Sequence, residues 1–216
     1  MLKIVDSLID KALELKNHES VRVLVTDRLD SFSSHVNKPS EEWFSELCFC
    51  LLTSNSKAQT ALNIQNELKA NGFINYSPEE IRGTIIKHKH RFHNNKTKFI
   101  VNARDHIDIK DKISDIALES QVEAREWLVK NIKGFGYKEA SHFLRNVGYF
   151  DLAILDRHIL NLLLENNFIS EKPKTLNKNK YLEIETIFRD LANKSNMSCA
   201  ELDFYMWYMK VGAVLK

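Results

Sequence analysis

An all-α fold is predicted for this chain, and three observations predict it. Apolar residues recur at helical spacing along most of the sequence, helix-capping signals punctuate it, and no stretch alternates as a strand would. Only six glycines and three prolines interrupt 216 residues, so few positions break a helix. That length suffices for one large domain or two small ones. A hydrophobic share of 44% and a charged share of 28% are those of a soluble globular protein. The net charge of +2 means that any basic binding face must be local. No apolar run reaches the ~18 residues of a membrane span, and the N-terminus lacks a signal-peptide core, so an intracellular location without membrane attachment is expected.

Taken in order, Ile4, Leu8, Ala12 and Leu15 predict an amphipathic first helix, with a second following to about Leu29. Asp30 to Lys38 is polar and serine-rich and reads as a linker. Pro39-Ser40-Glu41-Glu42 is a helix start with Ser40 as N-cap, and Phe44, Leu47, Cys48 and Leu51 then form an apolar stripe running to Thr53-Ser54-Asn55. Ala58, Ala61, Ile64 and Leu68 predict the next helix, stopped at Asn71-Gly72. Ser77-Pro78-Glu79-Glu80 is a capping box with proline at the first helical position. Gln121 to Lys130 is helical, with Val122, Leu128 and Val129 as its buried positions. A helix carrying Ile159, Leu162 and Leu163 opens after Asp156 and runs to about Asn166. A basic, proline-containing connection then leads to a helix from about Lys180 to Ala192, and a second capping box at Ser198-Cys199-Ala200-Glu201 opens the last one, through Lys210.

Cys48, Cys50 and Cys199 are too few and scattered for a disulfide framework and read as small buried hydrophobes. From Lys87 to Lys98 the chain holds three histidines, four lysines, one arginine and no acid. Such a run is either a solvated face or a track for a phosphate backbone, with Phe92 as a wedge beside an unstacked base. Because His88, His90 and His93 do not share one helical face and no acid or cysteine accompanies them, no metal site is expected.

The stretch Ile132-Lys133-Gly134-Phe135-Gly136-Tyr137-Lys138-Glu139-Ala140 reads as a tight turn between two helices, the second continuing through Phe143, Leu144 and Val147. Gly134 and Gly136 are expected to allow positive φ and close approach of a partner, and the new helix offers free N–H groups to an anion such as a phosphate. A glycine turn alone is also the ordinary way to end a helix. Ala153-Ile154-Leu155-Asp156-Arg157-His158-Ile159 adds an aspartate eighteen residues after Lys138, closing an apolar run and opening a helix.

Together, GFGYKEASHFLRNVGY and AILDRHIL resemble the helix-hairpin-helix DNA glycosylases of the endonuclease III superfamily, and within it the archaeal-type 8-oxoguanine DNA glycosylases. The resemblance extends from Trp43 to the C-terminus and is densest from Asn131 to Leu160. It implies two helical domains flanking a DNA-binding cleft: a central domain over 40–150, with the hairpin at about 121–146, and a second built from 1–39 and 151–216. The four-cysteine iron–sulfur cluster of many relatives is not expected, since only Cys199 lies in the C-terminal half. No cofactor is expected.

Resemblance also implies roles. Lys138 and Asp156 correspond to the family's catalytic pair. A lysine amine attacks the sugar C1′ and forms a Schiff base that permits strand cleavage by β-elimination, while a carboxylate accepts a proton and stabilises the positive sugar. A free lysine, with a pKa of about 10.4, is protonated at neutral pH; desolvation and a helix N-terminus both favour the neutral amine. The alternatives are a solvated helix lysine and a plain N-cap. Gly134, Gly136, His158 and, less directly, Arg157 are implied to contact phosphate. Asn55 matches the residue that fills the hole left by a flipped base, or is a plain loop asparagine. Lesion recognition falls to Lys216, whose main-chain carboxylate is the expected acceptor for the N7–H that distinguishes 8-oxoguanine from guanine. Trp207 is the expected pocket wall beside it, with core packing next to Leu202, Tyr205, Met206 and Met209 as the alternative. The expected partner is double-stranded DNA carrying a damaged base, the protein acting as a monomer in the cytoplasm. Other oxidised bases, or a non-catalytic DNA-binding module, are the competing functions.

Overall fold

The computed structural model describes residues 2–214 and 216, with side chains from residue 7 onward. Among these residues lie twelve α-helices, one 3-10 turn and no strand. Ile4, expected on the first apolar face, is outside the described side chains. The chain divides into two compact units, Ser34–Val147 and Met1–Ser33 with Gly148–Lys216.

In the first of these, α3 (Ser40–Thr53) is the central element. Every residue from Trp43 to Thr53 is buried, as befits a helix that is apolar on most of its circumference. Around it pack α4 (Ala58–Asn75), α6 (His93–Ala103), α7 (Ile109–Glu119) and α9 (Tyr137–Asn146), with α5 (Pro78–Lys87) against α4 and α6, and α8 (Gln121–Asn131) against α7 and α9. Trp43 meets Phe143 edge to face at 6.1 Å and donates its indole N–H to the His35 carbonyl at 2.9 Å. The buried Glu46 carboxylate is satisfied by amides, from Gln65 at 3.0 Å and Asn146 at 3.1 Å. A buried charge without such donors would be strongly unfavourable.

Helices α1 (Leu2–Asn17), α10 (Arg157–Glu165), α11 (Lys178–Lys194) and α12 (Cys199–Val211) form the other unit, with the first part of α2 (Glu19–His35). Here α12 is the hub, packed on by α1, α10 and α11. Phe32 of α2 stacks on Phe204 of α12 at 6.0 Å. Lys16 and Glu201 form an ion pair at 3.0 Å.

Several local expectations are met. The capping box at Ser77 is complete, Asp156 caps α10, and Ala140, Phe143, Leu144 and Val147 are buried. All three cysteines are free and buried, and burial pushes the Cys48 thiol well above its usual range and the Cys199 thiol up to about 12.

Other expectations are corrected. The supposed linker at 30–38 is helical as far as His35, because Phe32 continues the buried face of Val21 and Val25. Pro39, not Ser40, is the N-cap of α3; the Ser40 hydroxyl instead accepts from the Lys110 N–H at 3.4 Å. Helix α4 does not stop at Asn71-Gly72. It kinks earlier, at Lys69 with φ +53°, and resumes to Asn75 with Gly72 and Phe73 buried. On α8 the buried face is Ala124, Arg125 and Leu128, while Val122 is exposed. Half of the Ser198 box forms, Glu201 turning its carboxylate to Lys16. Helix α7 was not anticipated, although Ile109, Ile113 and Ala117 mark one buried stripe along it.

Candidate active site

The hairpin is α8, a turn at 132–136, and α9. Its turn closes with the Phe135 N–H on the Ile132 carbonyl at 3.1 Å. Gly134 has φ +99°, and a Cβ there would sit 2.7 Å from the Phe99 ring and 3.1 Å from Leu51. Glycine is therefore required twice over, for conformation and for space. Gly136 differs from expectation: its φ is −108°, an extended N-cap that does not need glycine for its dihedrals. Its N–H is held by Glu139 Oε2 at 3.2 Å. Arg125 of α8 clamps the hairpin, lying over the Tyr137 ring at 5.1 Å and donating to the Ser141 hydroxyl at 3.2 Å. Tyr137 adds a hydroxyl hydrogen bond to Glu126 at 2.6 Å.

Lys138 and Glu139 stand second and third in α9, and their backbone N–H groups have no partner among the described residues. They are the free donors that an anion can use. The Lys138 side chain is half-buried and turns towards the end of α3, where Nζ donates to Thr53 Oγ1 at 3.4 Å.

That helix end gathers residues from the basic run. Lys96 Nζ donates to the Leu51 carbonyl at 2.5 Å, and His90 Nε2 meets the Leu52 carbonyl at 2.9 Å. Because the Phe92 N–H donates to His90 Nδ1 at 3.2 Å, the ring proton belongs on Nε2. Burial lowers the His90 pKa, in keeping with a neutral ring. Burial is also the chief cause that lowers Lys96 to about 8; Glu139 opposes the shift and the neighbouring Lys138 charge adds to it. The run from Lys87 to Lys98 is thus not one continuous DNA-facing surface. Two of its members are internal caps, and Lys87 and His88 pair with Glu67 at 2.9 and 2.8 Å. Lys89, Arg91 and Lys98 stay exposed, as does Phe92, with the Arg91 guanidinium 5.4 Å from its ring centroid. Asn55 is exposed, two residues beyond α3 with φ +58°, and makes no hydrogen bond among the described residues. Among the described residues no three His, Cys, Asp or Glu side chains are grouped to hold a metal ion.

A second group lies in the unit of both termini. Asp156 Oδ1 accepts from the N–H groups of His158 at 2.8 Å and Ile159 at 2.9 Å. Its Oδ2 has no hydrogen-bond partner among the described residues. The His158 ring meets Trp207 edge to face at 4.8 Å. Trp207 is half-buried, off the wholly buried face formed by Leu202, Tyr205 and Met206, and its indole N–H is buried without a partner among the described residues. Arg157 is exposed and Lys216 half-buried. The site residues thus fall in both units: Asn55, Phe92, Gly134, Gly136 and Lys138 in one, and Asp156, Arg157, His158, Trp207 and Lys216 in the other. Sequence reasoning missed Thr53, in the LLTSN segment, Lys96, in the charge run, and Arg125, inside the helix at Gln121–Asn131.

A family model described as 8-oxoguanine DNA glycosylase matches residues 25–197. The chain belongs to that family. The 8-oxoguanine DNA glycosylase/AP lyase of Methanocaldococcus jannaschii is 50% identical over 209 residues, covering 97% of this chain and 99% of the relative. A crystal structure of the Methanocaldococcus jannaschii 8-oxoguanine glycosylase/lyase with a 15mer DNA containing 8-oxoguanine superposes with a TM-score of 0.93, covering 97% of this chain and all of that one, at 50% identity. The 8-oxoguanine DNA glycosylase of Thermotoga maritima superposes with a TM-score of 0.90 at 35% identity, covering 98% of this chain and 100% of that one. The all-α helix-hairpin-helix glycosylase fold expected from the sequence is therefore the fold of the family.

Proposed function

We propose that this chain excises 8-oxoguanine from double-stranded DNA and cleaves the strand at the resulting abasic site. Relatives and solved structures at 35–50% identity that are named 8-oxoguanine glycosylases, those of Methanocaldococcus jannaschii also as lyases, support the reading across nearly the whole chain. The single observation that carries it within the molecule is the amine of Lys138, half-buried beside a glycine turn whose helix start leaves two N–H donors open. DNA held by those donors and by Gly134 and Gly136 brings a flipped nucleotide to the amine. Lys138 Nζ attacks C1′ and the bond from C1′ to the base breaks, the base leaving with a proton. The nitrogen then loses a proton, the C1′–O4′ bond opens with O4′ taking up a proton, and a protonated Schiff base remains. β-Elimination of the 3′ phosphate follows, and hydrolysis of the imine frees the lysine.

Asp156 acts on the same nucleotide in this reading. Oδ1 is committed to the α10 backbone, which leaves Oδ2 to stabilise positive charge on the sugar. His158 and Arg157 contact phosphate; Trp207, Lys216 and Phe92 recognise the extruded base; Asn55 fills the gap that it leaves. The protein works where the DNA is, in the cytoplasm.

Borohydride treatment with a duplex containing 8-oxoguanine tests this. The wild type is expected to give a covalent protein–DNA adduct that Lys138→Gln does not. A wild type that excises no base and forms no adduct overturns the proposal.

A further inference from the structure

We propose that Thr53 is a positioning residue for the Lys138 amine, and that towards this amine it works solely as a hydrogen-bond acceptor. This rests on the reading of Lys138 as the nucleophile. Thr53 is the last residue of α3 and is buried. Its hydroxyl has one proton, and that proton is donated to the Cys50 carbonyl at 2.9 Å. What Oγ1 presents to Lys138 Nζ, 3.4 Å away, is lone pairs alone. The amine must donate to it. A hydroxyl free to rotate would donate into the amine lone pair and occupy the electrons needed for attack at C1′; this one is prevented from doing so.

The next two carbonyls of α3 close off other arrangements. Leu51 O is taken by Lys96 Nζ at 2.5 Å and Leu52 O by His90 Nε2 at 2.9 Å. Three successive carbonyls that a helix C-terminus leaves orphaned are each occupied by a side chain. Two of those side chains arrive from about forty residues further along the chain. The end of α3 is therefore a fixed mount, and the amine is held by one N–H while its lone pair stays free.

Single-turnover rates of borohydride-trapped adduct on an 8-oxoguanine duplex, measured with excess protein, test the proposal alongside affinity for the same duplex. Thr53→Val keeps the shape and removes the acceptor; it is expected to slow adduct formation about tenfold, the effect of one lost hydrogen bond at the reacting group. Its DNA affinity is expected to stay within about twofold, because Thr53 positions the amine and not the strand. Thr53→Ser restores the acceptor and is expected to run within about twofold of wild type. Should the valine variant fail to fold, Thr53→Ala gives the same comparison. A valine or alanine variant as fast as wild type overturns the proposal, as does a serine variant as slow as valine. Absence of adduct in the wild type would overturn the Lys138 reading itself, whereas normal wild-type trapping with an unslowed Thr53→Val overturns only the role of Thr53.

Discussion

Helices α9 and α10 carry the two candidate reacting groups, and they begin in opposite ways. At α10 the residue before the helix is an aspartate, and its Oδ1 satisfies the second and third N–H groups, those of His158 and Ile159. At α9 the residue before the helix is Gly136, and the equivalent N–H groups of Lys138 and Glu139 have no partner among the described residues. One helix start is sealed by its own side chain; the other is left for an anion. The difference teaches that the same local motif, a helix N-terminus, can serve as a rigid mount for a carboxylate or as a binding surface. The N-cap residue decides which.

This contrast can be broken at several points. The largest effect is expected from Lys138→Gln, which should lower strand cleavage at an abasic site by about a thousandfold or more while leaving DNA binding near normal, since it removes a group acting as a covalent unit. Next is Asp156, where two substitutions separate mount from chemistry. Asp156→Asn keeps a good N-cap, so thermal stability should hold while base excision falls on the order of a hundredfold; Asp156→Ala should in addition cost about 1 kcal/mol of stability. Equal activity in the wild type and Asp156→Asn would make the residue a cap and nothing more.

Smaller effects sharpen the picture of the surrounding packing. Lys96 has a folded pKa of about 8 against an ordinary 10.5. Between those values the unfolded chain binds more protons, so stability should rise with pH across that window. Relative to Lys96→Met, denaturant unfolding should show a gain of no more than about 3 kcal/mol between the two ends. Gly134→Ala should destabilise by about 2 kcal/mol, through its φ of +99° and its contact with Phe99. An equivalent substitution at Gly136, with φ −108°, should cost clearly less in thermal melting.

Much of this was legible in the sequence because the signals were local. Ser77, Asp156 and Ser198 announced helix starts within three or four residues, and Ala140, Phe143, Leu144 and Val147 announced one buried face. What stayed hidden depends on tertiary partners. Lys96 looked like one more solvated charge, yet it caps a carbonyl forty-five residues away. Ser31, Ser33 and Ser34 looked like a linker, but Phe32 has Phe204 to stack on and carries the helix through them. Thr53 drew no notice beside Asn55, because its importance comes from a proton committed to Cys50 and an amine arriving from α9.

The most direct test of the whole account is to find which amine becomes bonded to the sugar. After borohydride reduction on an 8-oxoguanine duplex, proteolysis and peptide mass mapping should locate the residual sugar on Lys138. Attachment to Lys96, the neighbouring buried lysine, or to any other amine would contradict it.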